Sequence, residues 1–330
     1  GGWEHFVGGG VAVFDCSDDG LPEMVAAGGE APARLFLNDG GMVFRAGDLP
    51  EITGVSGVWP LDIDSDGLTD LALARVGENI LLHGTGDCSF ELADWGFEGG
   101  AAWSTAFSAT WESGQSLPTL AFGNYVDRDD PKGPFETCDD NMLFRPEGED
   151  YVGQVLTPGY CPLSMLFSDW GQSGQADLRV SNDRHYYVRG GEEQMWRLQP
   201  VPRLLNAADG WQRYELWGMG IASRDLTGDG LPDVMMTSMG DQRLQIQDGD
   251  GTQPRFVDAR YDLGTTAHRP FIGGDGRPST GWHVQFGDVQ NDGRDDVFIA
   301  KGNVEMMPGS AMDDPNNLLI LNSNKKKRCF

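Results

Sequence analysis

Short apolar runs separated by polar, glycine-containing turns recur along the whole chain, and they recur in a fixed order. A first run of small and apolar residues (8–14, 57–61, 104–109, 163–167, 218–223, 283–287) leads into a polar, mostly acidic turn. A β-rich run follows (23–29, 70–76, 119–125, 177–183, 233–239, 296–302), and then a second one (34–38, 79–83, 141–145, 185–189, 243–247, 317–321). A further polar turn leads to an aromatic residue at Phe44, Phe90, Tyr151, Trp196, Phe256 and Phe330. Runs this short, bounded by turn residues, read as strands rather than helices. Four strands per repeat, six times over, predict an all-β chain of the β-propeller class, each repeat being one blade. A sandwich leaves the six-fold repeat unexplained, and the coils of a β-helix are much shorter. The repeats fall at roughly 8–50, 55–98, 102–152, 163–198, 216–258 and 281–330 of one propeller domain. They fit six blades or part of a seven-bladed ring. The opening at Gly1 suggests a processed chain or part of a longer one.

Four of the acidic turns share one spacing, with an oxygen-bearing side chain at positions 1, 3, 5 and 9 and glycine at position 6. They are Asp15, Ser17, Asp19 and Glu23; Asp62, Asp64, Asp66 and Asp70; Asp225, Thr227, Asp229 and Asp233; and Asp288, Gln290, Asp292 and Asp296. Calcium is a hard cation that gathers six to eight oxygens, and this spacing supplies them once the chain curls at the glycine. The carbonyl at position 7 (Leu21, Leu68, Leu231, Arg294) is the expected main-chain ligand. An EF-hand starts in the same way but needs a Glu at position 12. Here position 12 is Ala26, Leu73, Met236 or Ile299, so that motif is excluded. The plain alternative is a solvated Asp-Gly turn, but four copies with one spacing argue for metal. About four structural calcium ions are expected, with the Asp62 turn the best supplied.

Two weaker turns complete the six. Asp169–177 keeps positions 1, 5, 6 and 9, with Ser173 at position 5 and Gly171 at position 3, so it is expected to hold no calcium. The stretch 110–119 keeps only turn character.

Composition narrows the function. Lys and Arg total 24 against 51 Asp and Glu, a formal charge of −27. Such a chain repels phosphate backbones and anionic lipid, so neither nucleic acid nor membrane insertion is expected. With 39% hydrophobic residues it is not a disordered acidic segment. Chemistry for catalysis is sparse: the five His form no zinc pair, and no nucleophile elbow or phosphate loop is present. Residues Arg184, His185, Tyr186 and Tyr187 could serve acid–base chemistry on a sugar, though in register they are a strand. The leading expectation is therefore a protein- or glycan-binding module. A polysaccharide lyase or hydrolase, or a structural domain for a missing neighbour, are the alternatives. Trp95, Trp103, Trp111, Trp170 and Trp211 would stack on sugars if exposed, and otherwise pack between blades. The basic cluster at 325–328 reads as a solvated turn.

Five cysteines fit a disulfide-permissive compartment. Cys138 and Cys161 bracket the connection between the third and fourth repeats, and a bridge there is favoured. A Cys16–Cys88 bridge is open, since both lie in turns on one blade end; free thiols are the other reading. Cys329 is left over.

The repeated Asp-x-Asp-x-Asp-Gly-x-x-Asp turn followed by a β run resembles FG-GAP/VCBS repeats, which form integrin-α-like propellers. Residues 122–127, 181–187 and 217–225 further resemble the cartilage acidic protein (CRTAC) group, whose members often carry an ASPIC/UnbV module, which is not seen here. The resemblance implies calcium binding and an extracellular or periplasmic setting. It implies no defined reaction.

Overall fold

The run after most of the acidic turns is apolar at consecutive positions, as a strand covered on both faces must be. A computed structural model describes residues 9–131, 136–183, 190–239, 242–265, 280–302 and 315–321. Its strands form five four-stranded antiparallel sheets and, among the described residues, one three-stranded sheet. The fold is all-β and of the β-propeller class, each sheet being a blade.

The chain divides into two compact units, 1–161 and 162–330. In the first unit, blade 1 is β1 (Gly10–Phe14), β2 (Glu23–Ala27), β3 (Arg34–Asn38) and β4 (Phe44–Ala46). Blade 2 is β5 (Val55–Leu61), β6 (Asp70–Arg75), β7 (Ile80–Gly86) and β8 (Ser89–Leu92). Blade 3 is β9 (Ser104–Thr110), β10 (Thr119–Asn124), β11 (Asn141–Glu147) and β12 (Asp150–Leu156). In the second unit, blade 4 is β13 (Pro162–Ser168), β14 (Asp177–Asn182), β15 (Gln194–Arg197) and β16 (Arg203–Leu204). Blade 5 is β17 (Gly218–Arg224), β18 (Asp233–Ser238), β19 (Gln242–Gln247) and β20 (Phe256–Asp258). Blade 6 is β21 (Thr280–Gly287), β22 (Asp296–Gly302) and β23 (Asn317–Leu319). Each sheet is a simple meander, and within a unit the first strands of successive blades pack side by side.

Period-two alternation shares each second strand between two cores. On β6, Leu71 and Leu73 pack with Val25 and Leu35 of blade 1, while Ala72 and Ala74 pack with Phe107, Leu120 and Phe122 of blade 3. In the second unit Val234 and Met236 join Trp170, Trp211 and Phe256, while Met235 joins Val297 and Ile299. Burying Leu71, Leu73, Val234, Met235 and Met236 at about 1.5–3 kcal/mol each makes this packing a large stabilising contribution.

Three details differ from the sequence expectation. Trp196 lies on the third strand of blade 4, paired with Leu178, and not on an outer strand. The run 185–189, expected as that third strand, lies outside the described residues, as does the candidate acid–base group at 184–187. Thr110 pairs with Thr119, so the turn of blade 3 begins at Trp111, one residue later than expected, with Thr119 at its ninth position. Cys138 and Cys161 flank the β11–β12 hairpin rather than a connection without structure, and they form a disulfide. Cys16 and Cys88 form the second disulfide, joining blades 1 and 2. Phe330, Cys329 and the cluster at 325–328 lie outside the described residues.

Candidate metal centres

Each acidic turn joins the first and second strands of a blade, and five of them are built from the same hydrogen bonds. The first-position carboxylate accepts the backbone N–H groups of positions 5 and 6. Gly20, Gly67, Gly174, Gly230 and Gly293 donate to Asp15, Asp62, Asp169, Asp225 and Asp288 over 2.7–3.1 Å. The fifth-position oxygen then accepts the N–H of position 7, as from Leu68 to Asp66 at 2.8 Å and from Leu231 to Asp229 at 2.9 Å. Glycine at position 6 has φ of +77° to +89°, the left-handed region that a Cβ disfavours. Position 4 shares that conformation even as Asp18, Ser65, Gln172 or Asn291.

The ninth-position acid ties the turn to the blade. Asp70 is fully buried and accepts Ile63 N–H at 2.7 Å and Gly84 N–H, from the third strand, at 2.8 Å. Asp233 does the same with Leu226 (2.9 Å) and Gln247 (3.1 Å), and Asp296 with Val289 (3.2 Å) and Leu321 (3.0 Å). Glu23 accepts the Cys16 N–H at 3.0 Å. Burial pushes Asp233 above the ordinary carboxylate range, although N–H donors pull it back. Asp225 and Asp288, in contrast, lie below that range: slight desolvation is outweighed by the N–H groups that converge on them.

Positions 1, 5, 6 and 9 thus build the turn, and the eroded loop of blade 4 retains those positions. Position 3 is what it has lost. Asp64 is the one carboxylate at that position among Ser17, Asp64, Gly171, Thr227 and Gln290. Beyond one 3.2 Å bond from the Asp66 N–H, the turn does not use it. Asp62, Asp64 and Asp70 each bring a carboxylate oxygen within 4.8 Å of the others. Burial, moderated by its two N–H donors and compounded by the charge of Asp64, pushes Asp70 up to about 6. A cation between these oxygens would relieve both penalties, so the donor set fits a hard divalent ion. Cys16, Glu23 and Cys88 also converge, but both sulfurs are committed to the disulfide.

The strand register exposes a further position that the spacing of the acidic residues does not reveal. The register places one residue on, or directly after, each third strand at the turn end of the blade: Leu37, His83, Arg145, Arg197, Ile246 and Ile320, each following the partner of the second strand's second residue. It is aliphatic in three blades whose turns keep the full motif. In the two blades with degenerate turns it is Arg, and the guanidinium pairs with an acid of the turn. Arg145 Nε lies 2.7 Å from Glu112, and Arg197 Nε lies 3.6 Å from Asp177. Asp177 also accepts the Trp170 indole N–H at 2.8 Å. In blade 2 the position is His83.

Of the tryptophans considered for sugar stacking, Trp103, Trp170 and Trp211 are core residues and Trp95 is half-buried against His83. Trp111, at 47% exposure in the turn of blade 3, presents its ring to solvent. No helix among the described residues is long and apolar enough to cross a membrane.

Residues 15–73 and 225–299 match the FG-GAP-like repeat, so two stretches that contain the four full-motif turns carry that signature. No curated protein matches the chain. Among solved structures, the N-terminal domain of Nup159 superposes with a TM-score of 0.50 at 12% identity, over 88% of this chain and 72% of that one. An Agrocybe aegerita lectin described as recognising non-reducing terminal N-acetylglucosamine superposes with a TM-score of 0.46 at 14% identity, over 94% and 80%. At 12% identity the likeness to the Nup159 domain concerns the fold alone.

Proposed function

Taking as premise that the chain carries FG-GAP-like repeats on β-propeller blades, we propose that it is a calcium-binding, extracellular or periplasmic propeller that acts as a protein- or glycan-binding module. The observation that carries the reading is the convergence of Asp62, Asp64 and Asp70 in a turn whose hydrogen bonds do not need Asp64. Asp66 and the Leu68 carbonyl complete the oxygen set of blade 2. The turns of Asp15, Ser17, Asp19, Leu21 and Glu23, of Asp225, Thr227, Asp229, Leu231 and Asp233, and of Asp288, Gln290, Asp292, Arg294 and Asp296 are weaker versions, with a neutral oxygen at position 3. Bound calcium would supply electrostatic cross-linking of strand ends, with no part in a reaction. About four ions would offset roughly 8 of the negative charges, at two charges per ion. Two disulfides support a compartment outside the cytosol.

Propeller loops are held by a rigid scaffold and can take macromolecular ligands. Trp111 offers the exposed aromatic face that a sugar ring requires. A glycan array run with and without calcium, beside a polysaccharide-degradation screen, tests the reading. Calcium-dependent binding without turnover, weakened by Trp111→Ala, is expected. Turnover of a polysaccharide would replace the binding-module reading with an enzymatic one.

A further inference from the structure

His83 on β7 lies over the Asp62 turn. Its Nε2 is shielded from solvent and makes no hydrogen bond, yet it lies 3.3 Å from Asp64 Oδ2 and 3.5 Å from Asp66 Oδ2. Three ligand atoms from Asp64, Asp66 and His83 fall within 4.8 Å of one another. Separations of about 3.3–3.4 Å are the edges of a tetrahedron with metal bonds of about 2.0–2.1 Å. We propose that blade 2 holds a mixed oxygen–nitrogen site in which His83, Asp64 and Asp66 bind a borderline transition-metal dication of the zinc class, in competition with calcium for Asp64.

Three features position the imidazole. The Asp70 carboxylate holds the adjacent Gly84 N–H at 2.8 Å, fixing β7 against the turn. The ring packs edge-on against Trp95, with centroids 5.7 Å apart. The other ring nitrogen, Nδ1, faces Glu91 Oε1 at 3.9 Å, and Glu91 is the cross-strand partner of His83. A carboxylate behind the distal nitrogen is the usual support of a metal-bound histidine. Imidazole suits zinc, cobalt and nickel, whereas calcium selects oxygen, so the nitrogen changes which ion the loop prefers. The other full-motif blades carry Leu37, Ile246 or Ile320 at this position, which sets blade 2 apart.

This inference rests on the calcium reading only in taking the turn to be a metal site. The test uses the full chain stripped of metal, titrated separately with Co²⁺ (visible absorption), Zn²⁺ and Ca²⁺ (calorimetry), as wild type and His83→Gln. The expected result is a loss of at least about ten-fold in Co²⁺ and Zn²⁺ affinity in the variant, with Ca²⁺ affinity within about two-fold of wild type, since calcium takes oxygen donors. Equal Co²⁺ affinity in the two proteins overturns the inference and leaves the calcium reading standing. Co²⁺ binding that depends on His83 in a chain that takes up no Ca²⁺ supports the inference and removes the calcium reading. Imidazole ¹⁵N resonances of the wild type supply a second readout that does not need the variant to fold. Zn²⁺ should move the His83 Nε2 resonance, and an unmoved resonance at saturation overturns the proposal.

Discussion

Replacing Arg145 by Met removes the guanidinium that occupies the third-strand position of blade 3, where no metal motif remains. Its Nε lies 2.7 Å and one terminal nitrogen 3.4 Å from the two oxygens of Glu112, whose side chain is only 10% exposed. Glu112 also accepts the Thr119 hydroxyl at 2.6 Å, so its carboxylate is held in place after the guanidinium is gone. Breaking a fully buried pair costs about 3–5 kcal/mol, and an exposed pair about 0–1. With Arg145 at 23% exposure this pair lies between, at about 2 kcal/mol for Arg145→Met. Glu112→Gln should cost less, about 1 kcal/mol, because the cation it strands has better access to water. Combined, the two should cost about 1–1.5 kcal/mol less than their sum, since the second substitution removes the stranded charge. Urea unfolding of the four proteins measures this. Additivity within about 0.5 kcal/mol would refute the idea that Arg145 acts as a built-in cation for the turn.

The converse substitution, Ile246→Arg, places a guanidinium over the Asp225 turn. It should lower the calcium stoichiometry by about one ion, as read by equilibrium dialysis, since one site holds one cation. Burial, with the charges of Asp127, Asp140 and Asp129, pushes Asp139 up to about 6. Its folded pKa exceeds the unfolded one, so this contribution is greatest below about pH 4 and is lost as pH rises through about 6. Because the group is partly solvated, about 1 kcal/mol is at stake after screening. Asp139→Asn should therefore flatten the fall of melting temperature between those pH values and stabilise the protein at pH 7. The Cys16–Cys88 bridge closes 72 residues, so Cys16→Ser with Cys88→Ser should cost about 4 kcal/mol by the chain-entropy relation. The Cys138–Cys161 pair closes 23 and should cost about 3 kcal/mol. Denaturant melts of the two double variants rank them.

The blade pattern was legible because its signals are local. Strands of two to eight residues are set off by polar turns, and the apolar runs at 70–76 and 233–239 announce strands covered on both faces. Trp196 was misplaced because an aromatic residue serves an outer strand and a shared core equally well. The frame of the blade 3 turn is hidden in the sequence because no acid remains at its positions 1, 3, 5 or 9, and only the pairing of Thr110 with Thr119 fixes it. The five-ligand motif stood out in sequence, but the division of labour within it did not. Asp62, Asp66 and Asp70 serve backbone hydrogen bonds as well as any ion, while Asp64 is nearly free of that work. His83 was missed because it lies 17 or more residues from the Asp64 and Asp66 carboxylates it approaches, so only strand register brings it there. The alternation of Leu37, His83, Arg145, Arg197, Ile246 and Ile320 was present in the sequence. It becomes meaningful once each third strand is aligned on its partner.

Thermal melting in calcium and in chelator, for the wild type and Asp64→Asn, tests the central claim most directly. With extracellular-type affinities of about 10⁻⁴–10⁻³ M, 10 mM calcium should stabilise each occupied turn by about 1.4–2.7 kcal/mol. The wild type should melt higher in calcium than in excess EDTA, and Asp64→Asn should lose the largest single share of that gain while melting like the wild type in EDTA. A wild-type melting temperature that is the same in calcium and in EDTA would contradict the account.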